Sequence, residues 1–165
     1  MNLTNAFSNE ELYKTSIYNK EMNFKKIIGL NFEKISSKLG PFQMENNECE
    51  LELEEGIEEQ FYINAKNNSF KMILNKEKRI QVIFLYPNKN GLFPIEQYTV
   101  EMGRNETRKI HGKPNRQSEP KENFIIGSNG GFDRYDKEIV YHFEYCDKTQ
   151  TTLKMITLMS HEIAP

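Results

Sequence analysis

Ile27-Ile28-Gly29-Leu30-Asn31-Phe32-Glu33-Lys34-Ile35-Ser36-Ser37-Lys38-Leu39, closed by Gly40-Pro41, has a counterpart about 72 residues later. The second stretch reads Val100-Glu101-Met102-Gly103-Arg104-Asn105-Glu106-Thr107-Arg108-Lys109-Ile110-His111 and is closed by Gly112-Lys113-Pro114. Each has helical spacing, and each ends where glycine can supply a left-handed cap and proline forbids continuation. Strand-like segments follow both stops, and their landmarks keep step. Tyr62 to Phe70 and Tyr135 to Phe143 are both eight apart, while Phe70 to Ile80 and Phe143 to Leu153 are both ten apart. Spacing kept in step at low identity predicts two units of one architecture.

In the first unit, Phe24, Ile27, Ile28, Leu30, Phe32, Ile35 and Leu39 fit a helix kinked near Gly29-Leu30-Asn31, with Asn31 placed to cap the second piece. Glu48-Cys49-Glu50-Leu51-Glu52-Leu53-Glu54 alternates with period two, which predicts a strand with four glutamates on one face. Strands over 58–64, 69–74 and 79–86 follow, joined by the turn formers Asn67-Asn68 and Asn75-Lys76-Glu77-Lys78. The segment Pro87-Asn88-Lys89-Asn90-Gly91 marks a boundary. In the second unit a helical element at 99–111 leads to a polar loop at 113–122 and a strand at 123–126. The turn Gly127-Ser128-Asn129-Gly130-Gly131 comes next, then strands at 131–135, 139–145 and 152–160. Ile80, Val82 and Phe84 match Leu153, Met155 and Thr157, with Gln81, Ile83 and Leu85 opposite them. Apolar residues on both faces predict a central strand in each copy. The expected fold is α+β: two tandem repeats, each a short helix-turn-helix packed on a four-stranded antiparallel sheet. Residues 1–22 form an N-terminal segment with a short helix at most, 23–90 the first unit and 91–165 the second.

A chain of 165 residues with 37% hydrophobic content, 8 Tyr and 11 Phe can build a core. Units of about 70 residues bury only about 60% of their unfolded surface, so two of them gain by packing together. A formal charge of -2 gives no electrostatic reason to expect nucleic acid. No apolar run suggests a membrane span, and Met1-Asn2-Leu3-Thr4-Asn5 does not resemble a secretory signal, which points to a cytoplasmic protein, a monomer when free. Cys49 and Cys146 occupy non-matching positions and read as two reduced thiols.

Residues 45–59 hold Glu45, Glu48, Glu50, Glu52, Glu54, Glu55, Glu58 and Glu59 without a lysine or arginine. Such a ridge suits a basic patch on a protein partner, although an ordinary solvated or aggregation-blocking strand face would look the same. Calcium loops use short irregular spacings with Asp, Asn and a tight Gly turn, a pattern these glutamates do not follow. The segment 101–121 has the opposite sign, and Arg104 and Arg108 are secondary candidates for partner binding. His142 alternates with Tyr141, Phe143 and Tyr145, which places it on the opposite face beside Glu144, a further candidate pair. His111, His142, His161 and the two cysteines do not form a zinc-ligand pattern, and Gly127–Gly131 lacks the lysine of a phosphate loop. No cofactor or metal is expected, and no set of nucleophile, acid and base can be assembled.

The run Gly29-Leu30-Asn31 with its Glu33-Lys34-Ile35 continuation, Leu39-Gly40-Pro41 and four following strands resembles a known unit. That unit occurs once in bacterial outer-membrane assembly lipoproteins and twice, in tandem, in the beta-lactamase inhibitor protein family. The stretch Gly131-Phe132-Asp133-Arg134-Tyr135, through His142-Phe143-Glu144-Tyr145 to Met155-Ile156-Thr157-Leu158-Met159, is similar to small immunity proteins of bacterial polymorphic toxin and pyocin systems. The resemblance implies a non-enzymatic immunity protein that neutralises a cognate toxin with a basic surface, such as a nuclease, by direct binding. The alternatives are a small hydrolase using His142 or His111 with nearby carboxylates, or an assembly scaffold. Unlike the secreted inhibitor family, the chain has no Trp.

Overall fold

The computed structural model describes residues 13–15, 20–35, 44–45, 61–65, 69–95, 97–123 and 127–165. The chain runs β1 (Tyr13–Thr15), β2 (Lys20–Met22), α1 (Phe24–Ile27), α2 (Phe32–Ile35), β3 (Met44–Glu45), β4 (Phe61–Ala65), β5 (Phe70–Leu74) and β6 (Ile80–Leu85). It continues with α3 (Arg104–His111), β7 (Arg116–Ser118), β8 (Lys121–Asn123), β9 (Gly127–Asn129), β10 (Phe132–Asp136), β11 (Val140–Tyr145) and β12 (Leu153–Met159). The architecture is α+β. Eight strands form one sheet in the order β3-β4-β5-β6-β12-β11-β10-β7, and every pairing in it is antiparallel. The pairs β1-β2 and β8-β9 stand as separate two-stranded ribbons.

The middle of the sheet is the junction of β6 with β12, where Leu85 faces Ile156 and Ile83 faces Leu158. All four side chains are fully buried. Antiparallel alternation sends these residues, together with Met72, Tyr135, Tyr141, Phe143 and Tyr145, to one face. The helices cover that face. Phe24 of α1 meets Phe70 edge-on at 5.2 Å, and Phe24, Ile27 and Phe32 join the same buried cluster. Edge-to-face rings of this kind add about 0.5–1.5 kcal/mol to the stabilisation from burial alone. Val82 and Phe84 point to the other face with Thr157, Met159 and His142, so Phe84 is only half-buried. The expectation that Ile80, Val82 and Phe84 share one face is corrected here: Val82 is buried, but on the face opposite Ile80. The hairpin register shifts between Ile73 and Leu74, leaving Ile80 in the core and passing that role to Ile83 and Leu85. That β6 and β12 carry apolar residues on both faces agrees with their central position.

Two turns 72 residues apart share a local geometry. The β5-β6 turn has Asn75 Oδ1 accepting from the Glu77 and Arg79 amides, both at 3.0 Å, with Lys78 at φ 59°. In the β11-β12 turn Asp147 Oδ1 accepts from the Thr149 amide at 3.0 Å, and Gln150 takes φ 51°. The Lys78 carbonyl accepts from the amide of Phe32, the first residue of α2, and the Gln150 carbonyl from that of Arg104, the first residue of α3, each at 2.8 Å. Left-handed backbone costs a non-glycine residue about 1–2 kcal/mol, so in each turn the Asx bonds and the strap to a helix hold the strained residue in place. The second hairpin also shifts register, between Glu144 and Tyr145, where the first shifts between Ile73 and Leu74.

Several boundaries depart from the sequence reading. The helix expected over 99–111 starts at Arg104, because Thr99 bridges to Leu92 and residues 100–101 form a turn. Part of the polar loop at 113–122 pairs with β10 as β7. Gly127–Asn129, expected as a turn, pairs with Lys121–Asn123 as β9. Gly29, at φ 83°, separates α1 from α2, and the cap holds, since the Lys34 amide donates to Asn31 Oδ1 at 3.2 Å. Gly112 ends α3 with φ 83°, its amide donating to the Arg108 carbonyl. Gly40 and the glutamates from Glu48 to Glu59 lie outside the described residues.

Candidate functional site

Three groups of polar side chains stand out, two on the helix-covered face and one on the other. The first is centred on Asp133 of β10, a fully buried carboxylate. Arg104, one turn before Arg108 on α3, donates to Asp133 Oδ1 from Nε at 3.0 Å and from Nη2 at 2.8 Å. Arg108 donates to Oδ2 from Nε and to Oδ1 from Nη2, both at 2.8 Å, and the Tyr145 hydroxyl adds a bond at 3.2 Å. The rest of the Arg104 guanidinium is held by Glu119 and by the carbonyls of Ser118 and Phe132. Burial by itself would raise the Asp133 carboxyl, but hydrogen bonds from Arg108 and Arg104, and their charges, bring it below its ordinary value. Arg104 is thus internal. The expectation that it offers its charge to a partner is corrected: the side chain is 7% exposed and its guanidinium is consumed by Asp133, while Arg108 keeps 34% of its side chain exposed and also reaches Gln117.

The second group lines a cleft of about 270 Å³ formed by Lys25, Ile95, Gln97, Tyr98, His111, Lys137 and Tyr141. His111, the last residue of α3, contacts the Tyr98 hydroxyl through Nε2 at 2.7 Å and the Lys137 ammonium through Nδ1 at 3.0 Å. An ammonium only donates, so Nδ1 must accept, Nε2 must carry the proton, and Tyr98 receives it. The ring sits among Tyr98, Tyr135, Tyr141 and Phe143, with centroids 5.0–6.1 Å away. Burial, with the charges of Lys137 and Lys25, lowers the imidazole from 6.5 to about 4. Burial likewise lifts the Tyr98 and Tyr141 hydroxyls to about 12. A neutral imidazole buried this way resists acid. Between about pH 6.5 and about pH 4 the unfolded chain binds a proton at this residue that the folded chain refuses, so stability falls as pH drops through that window. Denaturant melts across the window should show this loss, and His111→Gln should flatten it; an unchanged slope would mean that other groups govern it.

The third group occupies the opposite face. His142 Nε2 lies 3.6 Å from Glu144 Oε1, as the alternation of β11 predicts, and its ring stacks on Phe132 at 4.5 Å. The contact with His142 holds the Glu144 carboxyl below its ordinary value. His142, Glu144, Phe132, Phe84 and Met155 are half-buried on this face, a mixed surface of rings, a thioether and one imidazole–carboxylate contact.

The sequence reading brought together His142 and Glu144. It did not bring Asp133 to Arg104 and Arg108, nor Lys25 and Lys137 to His111. A signal for the first existed in Asp133 lying two residues before Tyr135 and so sharing its face of β10, since an acid on a core-facing position needs a cation. Among the described residues, no group of three or more His, Cys, Asp or Glu could hold a metal ion. No described helix is long and apolar enough to cross a membrane. Comparisons with protein-family models, with curated proteins and with solved structures returned no match.

Proposed function

We propose that the chain is two copies of one helix-and-sheet unit, joined through β6 and β12, and that it serves as an immunity protein that neutralises a bacterial toxin by binding it. The observation that carries the first half is the recurrence, 72 residues apart, of an Asx-bonded turn with a left-handed fourth residue strapped to a helix start. Positive φ at Lys78 and Gln150 is unusual for such residues, so its coincidence with the same strap in both halves favours a shared origin over chance. The strand order supports it too. β3-β4-β5-β6 and β7-β10-β11-β12 are each laid down in sequence from edge to centre, with the β8-β9 ribbon as an addition to the second. The landmark pairing needs one adjustment: Leu153 stands where Ile80 does beside the register shift, but Phe143 faces Ile156 as Met72, not Phe70, faces Ile83.

The tandem form of this unit resembles the beta-lactamase inhibitor protein family, and from that resemblance comes the reading as a protein-binding inhibitor. The acidic stretch Glu48, Glu50, Glu52, Glu54, Glu55, Glu58 and Glu59 would supply the charge that steers a basic toxin, with His142 and Glu144 on the half-buried sheet face as a second contact. The test is co-purification with the product of the neighbouring gene, followed by association kinetics. Replacing Glu50, Glu52 and Glu54 together with Gln should slow association by about tenfold or more at low salt, flatten its salt dependence and leave stability unchanged or slightly raised. Failure of the neighbouring product to bind would defeat the toxin assignment. Binding with unaltered kinetics in the triple variant would instead move the contact to the His142 face.

A further inference from the structure

We propose that the cleft between α1, the end of α3 and the β10-β11 turn binds a small organic oxyanion, a carboxylate or phosphoryl group carried on a ring or short apolar stem. Two ammonium groups converge there. Lys137 Nζ reaches His111 Nδ1 at 3.0 Å, and Lys25 Nζ lies 5.6 Å from the centroid of the Tyr141 ring. Neither lysine has a carboxylate within ion-pair distance among the described residues, and none of the residues lining the cleft is acidic. Like charges brought together without a counter-charge favour an anion and disfavour a cation, despite the ring of aromatics.

The neutral imidazole fits the same reading. Because His111 donates to the Tyr98 oxygen, the Tyr98 proton is free to be donated elsewhere, and the cleft gains a hydroxyl donor beside the two ammoniums. The position of Lys137 is built, since its carbonyl accepts from His161 Nε2 at 2.7 Å and its amide donates to the Ile139 carbonyl. Ile95 and the faces of Tyr98 and Tyr141 form the apolar part of the wall. At about 270 Å³ the space lies below the range of ~300–1,000 Å³ typical of drug-sized ligands, which suits one ring and its charged group.

The groups facing His111 are Lys25 from α1, Lys137 from the β10-β11 turn, and Tyr98, Tyr135 and Tyr141, with Glu138 felt at Tyr141. An anion held by both lysines screens their charge and lets the imidazole take one proton from solvent, so binding should tighten as pH falls.

The experiment titrates the full chain with benzoate and, separately, inorganic phosphate, following the His111 ring by NMR and affinity by calorimetry near pH 5.5 and near pH 8. The expected result is a saturable shift of the His111 resonances, tighter at the lower pH, with affinity weakened about tenfold or more by Lys137→Met or Lys25→Met. Saturation by benzoate assigns a stemmed carboxylate, and saturation by phosphate alone assigns a phosphoryl group. Both lysines are exposed, so both variants should melt like the parent; if Lys137→Met loosens its turn, Lys25→Met on α1 decides. No saturable shift with either anion, or affinity indifferent to the lysine substitutions, overturns the proposal.

Discussion

Arg104→Ala will destabilise the fold by about 3–5 kcal/mol, a fall in melting temperature of roughly 6–20 °C for a chain of this length. Arg104 and Asp133 are almost wholly sequestered, and the carboxylate stays charged because two guanidiniums donate to it. Removing one leaves a buried anion short of donors, together with the Ser118 and Phe132 carbonyls that Arg104 also served. The pH dependence has a definite sign. The folded carboxyl lies below its ordinary 3.8, so its stabilisation is present above that value and is lost as pH falls through the lower, folded one. In the variant the folded carboxyl rises, and acid unfolding should begin at higher pH. Replacing both partners with apolar residues, Arg104→Met with Asp133→Leu, should cost much less than the single change. A loss under about 1 kcal/mol for Arg104→Ala would mean that Arg108 alone satisfies the carboxylate.

Ile156→Ala should cost about 2–5 kcal/mol and, more tellingly, should lower a single transition shared by both halves. Ile156 is fully buried between Leu85 of β6 and Phe143 of β11, on the face covered by the helices. The cavity would open across the junction of the two halves, where neither half can close it alone. Chemical denaturation followed by hydrogen exchange of β5 and of β11 checks this. If β11 loses protection while β5 keeps it, the halves melt independently and the junction is weaker than its burial implies.

What was legible in the sequence were features set by local spacing. Apolar stretches set off by turn formers placed β5, β6, β11 and β12 close to their true limits, and apolar residues on both faces of Ile80–Leu85 and Leu153–Met159 put those strands at the centre. Asn31 as a cap, Asn75–Lys78 as a turn and Gly112 as a helix stop rest on chemistry within four residues. The failures came from partners distant in sequence. Gly127–Asn129 reads as a turn by composition, and only pairing with Lys121–Asn123 makes it a strand. One register shift exchanged the faces of Val82 and Phe84 with those of Ile83 and Leu85, which alternation cannot foresee. Arg104 looked like surface charge because the acid that neutralises it is 29 residues away on another element. His111 was visible as a histidine, but its two lysines come from a different helix and a different turn.

The central seam also constrains how this protein can be made. During synthesis β6 emerges with one side paired to β5 and the other bare, and its partner β12 leaves the ribosome only after about 70 more residues. For that interval the nascent chain displays an edge strand, Ile80–Leu85, with Ile83 and Leu85 on one face and Val82 and Phe84 on the other. Unpaired edges of this composition are templates for association with other chains. Such a chain therefore depends on quick closure once β12 appears, or on a chaperone until then, and a product halted before Leu153 would carry a sticky edge into the cell.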